Sequence, residues 1–201
     1  MMRRVWHIFG IVALLLMQAP AQAHLVTTGL GPVYDGIGHF FLSPDDAIPV
    51  IALALLAGLR GKPAGRGVMF QLPLAWFCGG VTGLMAQVEP ALPLQCFSFM
   101  VLGLLIASDL RLPGLAVMGV ALVIGFLHGL LNGVALRAAG AGDGTLELLG
   151  IGVMIFVLAT VFAALVVSIR VHWARIVVRV AGSWIAAIGL LMLGWALRPG
   201  H

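Results

Sequence analysis

The side chains in this sequence best suited to chemistry gather in two places. His24, Asp35, His39, Asp45 and Asp46 fall within one stretch, HLVTTGLGPVYDGIGHFFLSPDD, and His128 with Asn132 in GFLHGLLNG. Imidazole suits nickel, copper and zinc, and carboxylates add harder oxygen donors, so the pattern points to a divalent transition metal. His24, were it to become the N-terminal residue, would offer an α-amine beside its imidazole and could chelate an ion by itself. His39, with Asp45 and Asp46 close behind it, forms a mixed nitrogen and oxygen set. Ser43-Pro44-Asp45-Asp46 also reads as a helix start, with Ser43 as N-cap, Pro44 at the first helical position and acids in the first turn. One of the two aspartates is therefore expected to be structural. His128 and Asn132 lie one turn apart on a shared helix face, next to a stripe of Gly125, Gly129 and Gly133 suited to close helix contact.

These groups must be positioned by a very apolar chain. It is 62% hydrophobic and 9% charged, with 27 glycines, and its long apolar runs read as membrane spans rather than core helices. The runs fall near 46–60, 66–88, 91–108, 113–137, 146–169 and 176–197. The expected fold is an all-α integral membrane protein, with six transmembrane helices in a domain over 46–201. An extracytoplasmic, Gly-rich, non-helical loop over 24–45 precedes it, and a cleavable signal peptide over 1–23 precedes the loop. Arg3 and Arg4, the apolar run Ile8–Met17 and Ala21-Gln22-Ala23 supply the three parts of such a leader. Pro73 is expected to kink the second span.

Charge orients the bundle. Arg60, Lys62, Arg66, Arg111, Arg170, Arg175 and Arg179 fall on one side, against Arg137 and Arg198 on the other, so the first set is expected in the cytoplasm. Asp35, Asp45, Asp46, Glu89, Asp143 and Glu147 collect on the outer side, where they would concentrate cations; Asp109 alone lies inside. The chain is thus expected in a bacterial inner membrane, multi-pass, with its mature N-terminus extracytoplasmic.

Several functions are set aside. The basic residues are scattered, which does not suit nucleic acid, and no P-loop is present to use ATP. Cys78 and Cys96 form no paired motif. Ser183 has no identifiable base partner, and no enzymatic activity is expected. Gln71, Thr82, Gln87, Gln95 and Ser98 read as packing or as lining of a path, to which Met85 and Cys96 could add soft ligands, each alone being more often packing. Three spans followed by three would allow an inverted repeat, of which the only echo is G-x-x-H at Gly36–His39 and again at Gly125–His128.

A histidine just after a leader, a Gly-rich stretch running into a His/Asp cluster, and the HGxxxG-like fourth span together resemble the HupE/UreJ family. The resemblance covers essentially the whole mature chain. It implies a small membrane protein associated with hydrogenase and urease systems, acting as a secondary nickel permease, with His39, Asp45 or Asp46, and His128 on the metal path. The sequence departs from the better-known branch: Phe40 follows His39, Ala47 follows Asp46, and Asn132 stands where that branch is richer in histidine. The expected function is inward passage of a divalent transition metal, nickel by resemblance, with Asp35 and Asn132 on the path. The alternative is a non-transporting accessory protein that binds metal or scaffolds a metalloenzyme assembly. The expected partners are the transported ion and the lipid bilayer, a homo-oligomer stays open, and no tightly bound cofactor is expected.

Overall fold

Glycine and proline decide how the first polar stretch folds. Gly31 adopts φ 106°, a left-handed conformation that a Cβ would strain, and Pro32 then opens helix α1, Pro32–Leu42. Phe40 on this helix is buried, and Gly36 lies against α6, so the segment gains packing that its glycine-rich composition hides. At Ser43 the helix stops. Pro44 lacks an N–H and disfavours helical geometry in the residue before it, and Ser43 sits at φ −107°, ψ 82°. Helix α2, Pro44–Leu59, then sets off at 79° to α1. The stretch 24–45 is therefore not the non-helical loop expected from its sequence, since Pro32–Leu42 within it forms α1. Ser43 stands at the N-cap position but its hydroxyl makes no cap. It donates back to the His39 carbonyl at 2.8 Å and closes α1 instead.

The computed structural model describes residues 27–86, 94–140, 143–168 and 172–198, and within them every element is helical. The proposed leader over 1–23 and His24 lie outside the described residues. After α2 come α3 (Lys62–Met85), α4 (Leu94–Ala107), α5 (Gly114–Ala138), α6 (Gly144–Ser168) and α7 (His172–Ala196). Helix α3 runs through Pro73 as one continuous helix. Among the described residues four helices are long and apolar enough to cross a bilayer, and α1 with α2 makes a fifth if the bent pair counts as one broken span. The sequence suggests six. The difference lies in α4, which is apolar but only 14 residues long. The chain is a multi-pass membrane protein whose outer surface carries bare apolar side chains such as Phe70, Leu115, Trp184, Leu191 and Trp195, as lipid requires.

Small residues hold the helices together. A Cβ on Gly129 would lie 2.0 Å from the Trp76 carbonyl oxygen, and one on Gly79 would lie 2.0 Å from that of Phe126. Helices α3 and α5 therefore touch backbone to backbone, the approach that packs helices in lipid without a hydrophobic driving force. Gly36 and Gly150 repeat the reciprocal contact between α1 and α6, against the carbonyls of Glu147 and Val33. Helix α4 meets α7 through Gly103, Gly182 and Gly189. These pairings persist if the first three units (α1–α2, α3, α4) are exchanged with the last three (α5, α6, α7), the relation that two inverted halves would have.

A Gly129→Ala substitution should lower stability by about 1–3 kcal/mol through overpacking. Gly119→Ala should be neutral to slightly stabilising, because nothing lies within 4 Å of its added carbon and alanine is the better helix former. Thermal unfolding of the detergent-solubilised protein distinguishes them, and equal melting temperatures would contradict the backbone contact.

Candidate functional site

Buried polar groups in an apolar bundle need partners, and most of those here find one another. Because α2 begins at the break, Asp46 sits in its first turn yet faces the middle of α5. Asp46 is 2% exposed and His128 1%. His128 Nδ1 lies 3.2 Å from Asp46 Oδ1, and Asn132 Nδ2 donates to Asp46 Oδ2 at 2.8 Å. Trp76 on α3 donates from Nε1 to Asn132 Oδ1 at 3.1 Å, and its ring lies against the imidazole with centroids 5.3 Å apart. On the other side, His128 Nε2 meets Ser98 Oγ at 2.9 Å, and Ser98 Oγ donates to the Gln95 carbonyl at 2.8 Å. Gln95 Nε2 donates to Asp45 Oδ2 at 2.8 Å. One chain of hydrogen bonds thus joins α2, α3, α4 and α5.

Donor and acceptor chemistry sets the protons in this chain. The indole N–H can only donate, so Asn132 must turn its oxygen to Trp76 and its amide nitrogen to Asp46. The Gln95 carbonyl can only accept; with the Ser98 proton there His128 Nε2 donates to Ser98, and with that proton turned to Nε2 the ring nitrogen accepts it. That leaves Nδ1 opposite Oδ1. A bare ring nitrogen facing a carboxylate oxygen would repel it, so the contact is a hydrogen bond only when it carries a proton. One proton therefore lies between Nδ1 and Oδ1. Removing either partner would strand the other in a dry site.

The remaining candidates stand around this knot without entering it. Asp45 is half-buried and reaches it through Gln95. His39 is half-buried in the last turn of α1, within electrostatic range of Asp45 and of Glu147. It follows Gly36 by three residues as Asn132 follows Gly129, and both glycines make the reciprocal helix contact. Asp35 accepts from the Thr28 N–H and hydroxyl at 2.6 Å each, tying down the entry to α1. Gln71 Oε1 on α3 is buried with no partner among the described residues. Trp76 is a site residue that sequence reasoning missed; Gln95 and Ser98 appeared there only as packing or path lining. The signal for Trp76 was its place deep in a span, since tryptophans of membrane proteins favour the interface. Among the described residues no group of three His, Cys, Asp or Glu is arranged to hold a metal.

The family model described as HupE / UreJ protein matches residues 12–192, nearly the whole chain. No curated protein and no solved structure matches it.

Trp76→Phe should leave most of the ring packing but remove the donor that orients Asn132. The expected loss is about 1 kcal/mol, or roughly 2–4 °C in melting temperature. An unchanged melting temperature would deny Trp76 that role.

Proposed function

Because the chain belongs to the HupE/UreJ family, we propose that it is a secondary permease carrying a divalent transition metal, nickel foremost, inward across the bacterial inner membrane. The observation that supports this most is the buried Asp46–His128–Asn132 knot at the break of a discontinuous helix. Transporters place their substrate sites where helices are interrupted, because the break brings free backbone ends and first-turn side chains to membrane depth. Intramembrane ionisable residues are otherwise rare, and they mark ion pathways. In this reading the bundle crosses six times, with α1–α2 and the shorter α4 each counted as a span. The leader is removed and the mature N-terminus faces outward.

The path begins outside, where His24, Asp35 and the neighbouring carboxylates collect the ion. His39 and Asp45 replace part of its hydration shell. The dication then takes the place of the proton between His128 Nδ1 and Asp46 Oδ1, and that proton leaves to the solvent. Both atoms become available as ligands only once the proton is gone, so metal and proton compete for one pair of lone pairs. Asn132 is held with its amide nitrogen toward Asp46, and it would have to turn to offer its oxygen. Gln71 is five residues from Trp76 on α3, about 7.5 Å nearer the basic end, and its unpartnered oxygen is the next polar step inward. A dication moving inward gains roughly 4.6 kcal/mol per 100 mV of membrane potential, twice the single-charge value.

A non-transporting accessory role is the alternative, favoured in its scaffolding form by the bonds with which the knot ties four helices together. Purified protein in liposomes separates the two, since metal binding without flux supports the accessory reading. For the permease, Asp46→Asn and His128→Gln should each abolish nickel uptake in cells at normal protein levels. Unchanged uptake in both would overturn the transport assignment.

A further inference from the structure

Away from the buried knot, the basic end of the bundle holds a cavity of about 370 Å³ between α2, α6 and α7. Arg60, Lys62 and Arg175 line it with the backbone of Gly58 and Gly61, and Val166 and Val178 form part of its apolar wall. Arg60 is the telling residue. Its side chain is 8% exposed, and it pairs through one terminal nitrogen with Asp109 at 3.3 Å. Its Nε is buried with no partner among the described residues. An N–H left bare at such a position costs on the order of 1–3 kcal/mol unless something accepts from it. Asp109 also takes Arg175 at 3.2 Å, so one carboxylate is shared by two guanidinium groups and the cavity keeps an excess of positive charge. The N-terminus of α3 opens at the same place. Gly61 is its N-cap and no side chain caps it; Pro63 has no N–H, so the N–H groups of Lys62 and Ala64 are the ones open to an acceptor.

We propose that this cavity binds the phosphate of an anionic phospholipid. A phosphate diester supplies what the site lacks, an acceptor for Arg60 Nε and for the α3 N–H groups and a negative charge among three basic side chains. The lipid is favoured over free phosphate by what lies next to the cavity. A second hollow of about 210 Å³ shares Lys62 and Val167 with it and runs between α3 and α6 past Gly65, Met69 and Ala163. Its walls are mostly apolar and Arg66 stands in it, which suits an acyl chain below a headgroup. Basic pockets between helices at the cytoplasmic boundary hold lipid headgroups in this way. Bound there, the lipid would staple α2 to α6 and α7, at the end of the bundle away from Asp35.

Native mass spectrometry of the delipidated full-length protein in detergent tests the site, titrating dioleoyl phosphatidylglycerol, dioleoyl phosphatidylcholine or inorganic phosphate. Saturable binding of phosphatidylglycerol is expected, with phosphatidylcholine much weaker and millimolar phosphate unable to displace it. Lys62→Gln, which breaks no ion pair seen here, should weaken phosphatidylglycerol about fivefold, and Arg60→Gln at least as much. Equal affinity for the two lipids, or undiminished phosphatidylglycerol binding in Lys62→Gln, overturns the proposal. Saturable binding of inorganic phosphate that excludes the lipid overturns it as well.

Discussion

A carboxylate buried in an apolar bundle is tolerable only when its charge and both its oxygens are answered, and Asp46 is the residue on which the structure turns. One oxygen is met by His128 and the other by Asn132, and Asn132 is fixed in turn by Trp76, a group with no choice of role. The indole N–H can only donate, so the orientation of Asn132 is forced, while His128 is anchored through Nε2 to Ser98. Four helices are tied together by these few bonds. The glycine contacts allow them, because α3 and α5 could not bring Trp76, His128 and Asn132 to one point if side chains kept their backbones apart.

The break between α1 and α2 serves the same end. An unbroken helix would carry Asp45 and Asp46 at some height along a regular span, with their backbone groups already paired. Ser43 and Pro44 start a new helix instead, so two carboxylates enter the bundle at a helix N-terminus, where positive dipole ends favour them. At the other end of the molecule, the charge pattern that orients the chain also shapes a cavity. Asp109, the exception to the acidic side, bridges Arg60 and Arg175, and the exception proves to be structural. Arg137, one of two basic residues on the acidic side, donates to the Ala86 carbonyl and ties the C-terminal ends of α5 and α3.

Much of this could be read from residue order. The pairing of His128 with Asn132 follows from helical spacing, and the glycine stripe beside them announces the seam. The Ser-Pro start of α2 is equally plain. Two things were not legible. Helix α1 hides in a glycine-rich, partly polar stretch, because its stability comes from lying on α6 and not from its own propensity. Trp76 hides because its role depends on which polar group a neighbouring helix presents, and a one-dimensional pattern does not carry that. Ser98 and Gln95 share the difficulty, since a lone polar residue in a span looks the same whether it glues helices or anchors a histidine.

In the proposed permease, metal and proton occupy the Asp46–His128 pair by turns. Isothermal titration of Ni²⁺ into the purified protein, repeated in buffers of different ionisation heat, measures it directly. The account predicts a binding enthalpy that varies with the buffer, equivalent to the release of about one proton per ion, and a variation lost in His128→Gln. Nickel binding with the same enthalpy in every buffer would contradict it.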